Sequence, residues 1–219
     1  MMITSQPYCR CWRHNSPKDS TRQGYLRAAF AFAHQVICEV SSPLVQRYHA
    51  ALTRPGRGIG VVDLNSNCSD GRFEWSSDSD SVMHINLDRL GGVWCLCVFA
   101  HELMHGYLFE HLYETRGSIR GWLEIASEEV IADCMVYAVF RRLREIKPTN
   151  GTEVLFVCTQ AGCNPQGTEA GWDSMQERAR GNVLAAARGR IVSRDQLQRT
   201  RDVLREFGIL ETVDHLLPA

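Results

Sequence analysis

The sequence predicts an α+β domain. In this fold a small, mostly antiparallel sheet packs on one long buried helix and on a second buried helix, with further helices towards the C-terminal end. Three observations predict it. The run 93–100 is almost wholly apolar and continues past a few polar residues to position 109. Segments between 59 and 87 show strand-like alternation, and residues 123–146 form a second apolar stretch that ends before Pro148.

Length and composition are typical of one globular domain. The chain has 219 residues, of which 44% are apolar and 22% charged, and its formal net charge is -1. No global charge favours nucleic acid or a membrane surface. The polar N-terminal stretch lacks the apolar core of a signal peptide, and the longest apolar run is too short to cross a bilayer, so we expect a cytoplasmic protein. Nine cysteines, several in apolar stretches, predict reduced thiols rather than a disulfide framework.

Periodicity and turn residues give the order of the elements. Residues 1–19 are expected to form a flexible arm, residues 20–150 the core, and residues 151–219 a helical extension of the same domain. The predicted helices cover 21–40, 44–52, 92–112, 123–146, 173–188, 193–207 and 209–217. The predicted strands cover 59–64, 73–75, 82–87 and 154–157, and a polar loop is expected over 111–121.

The chemistry concentrates in the sequence His101-Glu102-Leu103-Met104-His105. Residues four apart share one face of a helix, so His101 and His105 can direct both imidazoles at one ion. Zinc suits two neutral imidazoles and leaves a position for water, while a neighbouring carboxylate such as Glu102 can take the proton of that water. The pattern H-E-x-x-H therefore predicts a catalytic zinc site.

A structural interpretation fits the same residues. His101 and His105 would then be core histidines hydrogen-bonded to the backbone, and Glu102 would lie at the surface. Polar groups inside an apolar helix are costly to bury unless they are paired or bind a metal. The second apolar helix favours the metal, because it carries Glu129 and Asp133 four residues apart on a face that also holds apolar residues.

Together these two helices resemble the gluzincin metallopeptidases. In that group H-E-x-x-H is followed by a helix with E-x-x-x-D, often E-x-x-A-D, and here Glu129-Val130-Ile131-Ala132-Asp133 begins 24 residues after His105. The resemblance covers residues 59–146 and is strongest to peptidases of the ImmA/IrrE type, with a thermolysin-like core as the wider group. It implies a zincin-like fold, one Zn²⁺ per chain held by His101, His105 and Glu129, and Asp133 as the residue that orients His101.

A third histidine offers a different ligand set. His111 follows His101 by ten residues, the spacing of the metzincin pattern H-E-x-x-H-x-x-G-x-x-H. That pattern needs a glycine where this chain has Leu108. If the helix continues, His111 lies about 15 Å from His101 along the axis. Glu129 is therefore preferred as third ligand, over His111 and over Glu128, which does not share the face of Asp133.

The resemblance implies hydrolysis of a peptide bond in a protein or peptide substrate by a zinc-activated water, with Glu102 as general base. Zincins bind the substrate as an added strand beside the motif helix, which implies the edge at 82–87. His84 is a further candidate to line the cleft. A donor to the oxyanion is also expected. The candidates are Tyr137, which we predict to be the catalytic one, and Tyr113, Arg141 and His215.

Other features leave alternatives open. Residues 172–206 contain eight arginines and five acidic residues. This surplus of positive charge suggests a partner-binding surface or an ordinary solvated one. A non-catalytic zincin-like module that binds a partner through these helices is the alternative function, and a zinc hydrolase of another substrate is a third. The intact Glu102 favours the peptidase. We do not expect a second zinc site, because the cysteines lack C-x2-C pairing. Its candidate residues are Cys9, Cys11 and His14, with Cys158 and Cys163.

Overall fold

The computed structural model describes residues 20–63, 71–85, 93–146, 176–185 and 193–218. In these ranges the α+β class is confirmed, with helices predominating. The elements, in chain order, are α1 (Ser20–Val40), α2 (Leu44–Leu52), β1 (Ile59–Asp63), β2 (Gly71–Glu74), β3 (Ser81–Ile85), α3 (Val93–Arg116), α4 (Ile125–Ile146), α5 (176–185), α6 (Arg194–Glu206), α7 (Leu210–Val213) and a 3₁₀ turn (Asp214–Leu216).

Most predicted elements are present with shifted ends. The largest shift is at the motif helix α3, which runs four residues beyond the predicted end at 112, so the predicted loop over 111–121 begins late. Gly117, with φ of 69°, ends this helix in a left-handed conformation that suits glycine. The predicted arm at 1–19 and the predicted strand at 154–157 lie outside the described residues.

The sheet is mixed, which corrects the expectation of a mostly antiparallel one. Its strand order is β1-β3-β2, with β3 antiparallel to β2 and parallel to β1. The chain reverses direction twice between β1 and β3, so these two strands point the same way. Because β3 lies between β1 and β2 rather than beyond β2, it pairs with β1 as a parallel neighbour. Alternation along single strands could not reveal this order.

Helix α3 is the centre of the fold. It packs against α1, α2, α4 and β2, and side chains from Leu96 to Leu112 are buried on most of its circumference. The sheet covers one part of this surface, since Met83 and Ile85 of β3 are fully buried and alternate with half-buried positions. A helix surrounded in this way must be apolar all round, which explains why its sequence shows no single apolar stripe.

Two glycines allow β2 to approach α3 closely. A Cβ built at Gly106 would lie 2.7 Å from Cζ of Phe73, and one built at Gly71 would lie 2.4 Å from Oε1 of Glu102. Both distances are below van der Waals contact, so neither position tolerates a side chain without movement. The strand therefore lies directly against the face of α3 that carries Glu102.

A buried ion pair ties the hairpin of β2 and β3 to the same helix. The guanidinium of Arg57 donates to the carboxylate of Glu110, and both side chains are buried. Glu110 also accepts from the indole Nε1 of Trp75 at 2.7 Å, and Arg57 donates to the carbonyl of Ser76. These bonds satisfy a charge that would otherwise be costly to bury.

A second polar cluster joins α1 and α2 to α3. The rings of His34 and His49 are stacked with centroids 3.7 Å apart, and their Nδ1 atoms lie 2.8 and 3.2 Å from the hydroxyl of Tyr107, which is fully buried. Burial lowers the pKa of His34 to about 4; burial, together with the neighbouring His34, lowers that of His49 to about 3. Both rings are therefore neutral near neutral pH.

The C-terminal helices pack on α4 and also contact the turn before α2 and the residue His111 of α3. The backbone N–H of Ser42 donates to the carbonyl of Phe207 at 2.8 Å, and the hydroxyl of Ser42 donates to the carbonyl of Glu206. His111 of α3 lies between Tyr48 and Glu206, with 2.9 Å from Nδ1 to the hydroxyl and 3.2 Å from Nε2 to the carboxylate. None of the helices in the described ranges combines the length and the apolar character needed to cross a bilayer.

We predict opposite effects for two glycine substitutions in helices. Gly106→Ala should lower the free energy of unfolding by about 1–3 kcal/mol, because its Cβ would overlap the ring of Phe73. Gly181→Ala is the matched control, since no heavy atom lies within 4 Å of its Cβ, and it should raise that energy by about 0.5–1 kcal/mol. Urea unfolding measures both, and equal effects of the two substitutions would contradict the close packing of β2 on α3.

We also predict that the stacked histidines make the fold sensitive to acid. The unfolded chain takes up protons on His34 and His49 below about pH 6.5, whereas the folded protein does so only near pH 4 and 3. The free energy of unfolding therefore decreases as the pH falls, because the unfolded chain binds these two protons more readily than the folded protein does. The free energy of unfolding of His49→Gln should fall less steeply than that of wild type between pH 6 and 4.5, by up to about 1.4 kcal/mol per pH unit. Parallel curves for the two proteins would contradict this.

Candidate metal centre

Three side chains from two helices meet at one point. His101 and His105 project from the same face of α3, and Glu129 reaches them from α4. The two Nε2 atoms lie 3.2 Å apart, and the carboxylate oxygens of Glu129 lie 3.2 Å from Nε2 of His101 and 3.5 Å from Nε2 of His105. The structure therefore brings together the three residues that the sequence predicts as ligands.

The spacing of these donor atoms fits a small tetrahedral ion. Atoms bound to zinc at about 2.0–2.1 Å in tetrahedral geometry lie about 3.3 Å from each other. The shortest distances between His101, His105 and Glu129 are 3.2, 3.2 and 3.5 Å. Two imidazole nitrogens and one carboxylate are also the donor set of many catalytic zinc sites. The residues present thus fit zinc in both spacing and chemistry.

Asp133 holds His101 in the orientation that this centre needs. Its carboxylate lies 3.3 Å from Nδ1 of His101, on the side of the ring opposite to the donor Nε2. A hydrogen bond from Nδ1–H to the carboxylate leaves the Nε2 lone pair for a metal. The resemblance implied this neighbour for His101, and the structure places the carboxylate of Asp133 beside its ring.

The charges around the centre favour a cation. Burial disfavours the charged form of His101, but the hydrogen bonds of its ring to Asp133 and Glu129 outweigh burial and raise the pKa of His101 to about 10. Burial and the positive charge of His101 lower the pKa of His105 to about 3. One positive charge is therefore stable among these side chains, and the second imidazole stays neutral, as a metal ligand must be.

Glu102 lies beside the donor atoms but is not one of them. Its side chain is buried against Gly71, and no hydrogen bond to Oε2 exists among the described residues. Burial, helped by the charge of Glu129 and opposed by that of His101, raises the pKa of Glu102 to about 7. A carboxylate with this pKa can both take and return a proton at neutral pH.

The acidic neighbour of Glu129 does not join the cluster. Burial and the charge of Glu129 raise the pKa of Glu128 to about 7, but Glu128 is not among the side chains whose donor atoms converge on His101 and His105. Glu129 is therefore the third member, as the face shared with Asp133 predicts.

The ring of His111 contacts residues outside the metal centre. Both ring nitrogens contact side chains of other elements, Tyr48 on one side and Glu206 on the other, and the ring is buried. Because α3 continues through this residue, His111 lies about 15 Å along the axis from His101. The metzincin ligand set is not formed in the described structure.

The candidates for oxyanion stabilisation are dispersed. Tyr137 is buried two turns beyond Glu129 on α4, with its ring 6.0 Å from that of His215. Tyr113 packs its ring 5.0 Å from Trp75, and Arg141 forms an ion pair with Glu145. The role predicted for Tyr137 stays a prediction, and none of the four is brought to the donor atoms by these contacts.

The expected substrate edge needs correction. Strand β3 pairs with β1 on one side and β2 on the other, so it has no edge to offer a substrate strand. Strand β2 is the outer strand beside β3 within the described ranges, and its face meets Glu102 at Gly71. His84 of β3 projects from the sheet face opposite to Met83, and its Nε2 lies 3.1 Å from the carboxylate of Glu74. Residues 86 and 87 of the predicted strand lie outside the described ranges.

Sequence reasoning missed the residues that hold the start of α4. Gln196 of α6 accepts from the backbone N–H of Glu124 at 3.1 Å, and Arg199 donates to the carbonyl of Trp122 at 2.7 Å. Helix α6 thus fixes the turn that precedes α4, the helix that carries Glu129. No local pattern marks this contact, because the partners lie more than 70 positions apart in the sequence.

Four of the eight arginines in the C-terminal region contact other side chains of the part of the chain that the structure describes. Several of these side chains form ion pairs or stack on an aromatic ring, which favours a solvated helix surface over a partner-binding one. The pairs are Arg180 with Glu177, Arg201 with Asp214, Arg205 with Asp202 and Arg199 with the Trp122 ring. The cysteines and His14 considered for a second zinc site lie outside the described ranges.

Comparison of the chain with protein-family models, curated proteins and solved structures returned no match.

We predict that the chain binds one zinc ion and that Glu129, not His111, is required. Zinc content after dialysis should be about one per chain in wild type and should fall sharply in Glu129→Ala, because two imidazoles alone hold the ion weakly. His111→Gln is the matched control and should keep its zinc. Zinc retained by Glu129→Ala but lost by His111→Gln would contradict the assignment.

Proposed function

We propose that the protein is a zinc-dependent endopeptidase. The observation that carries this proposal is the convergence of His101, His105 and Glu129 at the distances of a zinc site, with the buried carboxylate of Glu102 beside them. The pairing of a metal centre with an adjacent base is the arrangement used for metal-assisted hydrolysis of acyl compounds. The α+β fold and the two antiparallel helices are compatible with a zincin core.

In this proposal His101, His105 and Glu129 hold the ion, and Asp133 fixes the ring of His101. When bound, zinc supplies a Lewis acid that makes water more acidic and polarises a carbonyl group. Glu102 takes a proton from the attacking water at one of its carboxylate oxygens. It later returns that proton to the departing amine nitrogen.

The sheet supplies a binding surface for an extended peptide. Strand β2 runs along α3 in the same direction, since Gly71 lies at Glu102 and Phe73 lies at Gly106. A peptide paired with the edge of β2 would therefore pass over Glu102 and the donor atoms. Main-chain hydrogen bonds would supply much of the affinity, and side-chain contacts the selectivity.

We predict that Glu102→Gln abolishes cleavage while keeping the metal. The amide retains the shape of the side chain but cannot accept a proton, so the rate should fall by about 10²–10⁴. The measurement is cleavage of a peptide library derived from a proteome by the zinc-loaded protein, read by mass spectrometry. Glu128→Gln, a half-buried carboxyl on α4, is the control and should retain both zinc and activity. Activity retained by Glu102→Gln would contradict the mechanism.

A further inference from the structure

Two large apolar side chains are exposed within the described ranges. Ile125 is 77% exposed at the start of α4, and Tyr113 is 46% exposed near the end of α3. A single exposed apolar residue needs no explanation, but an apolar group beside a cleft marks a binding surface. The position of these two residues relative to the metal centre therefore matters.

The contacts of the centre show that α3 and α4 are antiparallel. His101 meets Asp133 and Glu129, whereas His105, one turn later on α3, meets Glu129. Residue numbers on α4 therefore decrease in the direction in which those on α3 increase. Ile125 lies one turn before Glu129 on the same face of α4, at the end of the centre nearest to His105.

Phe109 lies at this same end, one turn after His105 on α3. Its ring centroid is 5.9 Å from that of His105, and its side chain is half-buried against the core. Phe109 therefore adjoins the metal centre directly, with Ile125 on the side of α4.

Aromatic side chains lie where this end of the metal centre is nearest to the sheet. Tyr113 follows Phe109 by one turn, and its ring lies 5.0 Å from that of Trp75, which comes directly after β2. The indole of Trp75 is fixed by its hydrogen bond to Glu110. Apolar side chains from α3, from α4 and from the end of β2 thus lie towards one end of the proposed cleft.

We propose that Phe109, Tyr113 and Ile125 form a subsite for a large apolar side chain of the peptide substrate. This inference rests on the proposed function and deepens it by naming a substrate class. Phe109 lies about 6 Å from His105 along the helix, and an extended peptide advances about 3.3 Å per residue. The apolar residue recognised here is therefore about two positions from the bond that is cleaved, on one side only.

The occupant is a substrate side chain because the subsite is continuous with the metal centre and with the edge of β2. A peptide lying along β2 over Glu102 continues directly towards Phe109 and Tyr113. Ile125, at 77% exposure, buries little surface in the fold, so its apolar character contributes little to folding. Covering it with a leucine or phenylalanine side chain would bury surface on both partners and contribute to affinity.

Binding of paired probes to the zinc-loaded, full-length protein tests the subsite without requiring turnover. The probes are dipeptide hydroxamates made of two leucines or of two glycines, each prepared with the hydroxamate at the C-terminal or the N-terminal end. In one orientation the leucine probe should bind wild type about tenfold or more tightly than the glycine probe. Ile125→Ser should reduce this ratio severalfold, and Ile125→Leu should preserve it.

The outcomes separate the two proposals. Absence of zinc binding, or of any hydroxamate affinity in zinc-loaded wild type, would overturn the proposed function and the subsite together. Zinc and hydroxamate binding with equal affinity for leucine and glycine probes in both orientations would overturn the subsite alone. A leucine preference that is unchanged in Ile125→Ser would also overturn it, because Ile125 would then lie outside the surface that the probe contacts.

Discussion

The structure depends on the interaction of two imidazoles with two carboxylates between α3 and α4. Inside an apolar pair of helices these groups are costly to bury singly, but together they satisfy one another. His101 lies between Asp133 and Glu129 and so favours a positive charge, while His105 stays neutral. A divalent ion can replace the proton in this arrangement, so the interaction that joins the two helices also supplies the donor atoms of the metal site that we propose.

The rest of the fold positions this cluster. On one side, the glycines at 71 and 106 let β2 lie against α3, which buries Glu102 and raises its pKa. On the other side, Gln196 and Arg199 of the C-terminal helix hold the turn before α4. The geometry of the centre therefore depends on segments that are distant in sequence, and a change in their packing would alter the position of Glu102 relative to His101, His105 and Glu129.

The sequence was informative where chemistry and helical period coincide. The faces of α3 and α4 could be predicted from His101, His105, Glu129 and Asp133, because spacing of four residues fixes a helix face. The order of the strands could not be predicted, since alternation shows which face of a strand is buried but not which strands are neighbours. The contacts of His111 were likewise hidden, because both of its partners come from other elements.

X-ray absorption spectroscopy at the zinc edge of the zinc-loaded protein tests the central claim most directly. We predict nitrogen and oxygen ligands at about 2.0–2.1 Å, with the multiple-scattering signal of two imidazoles and no sulfur, as His101, His105 and Glu129 require. A sulfur shell at about 2.3 Å would place the metal on cysteines instead. The signal of three imidazoles would show that a third histidine replaces Glu129, and either result would contradict the proposed centre.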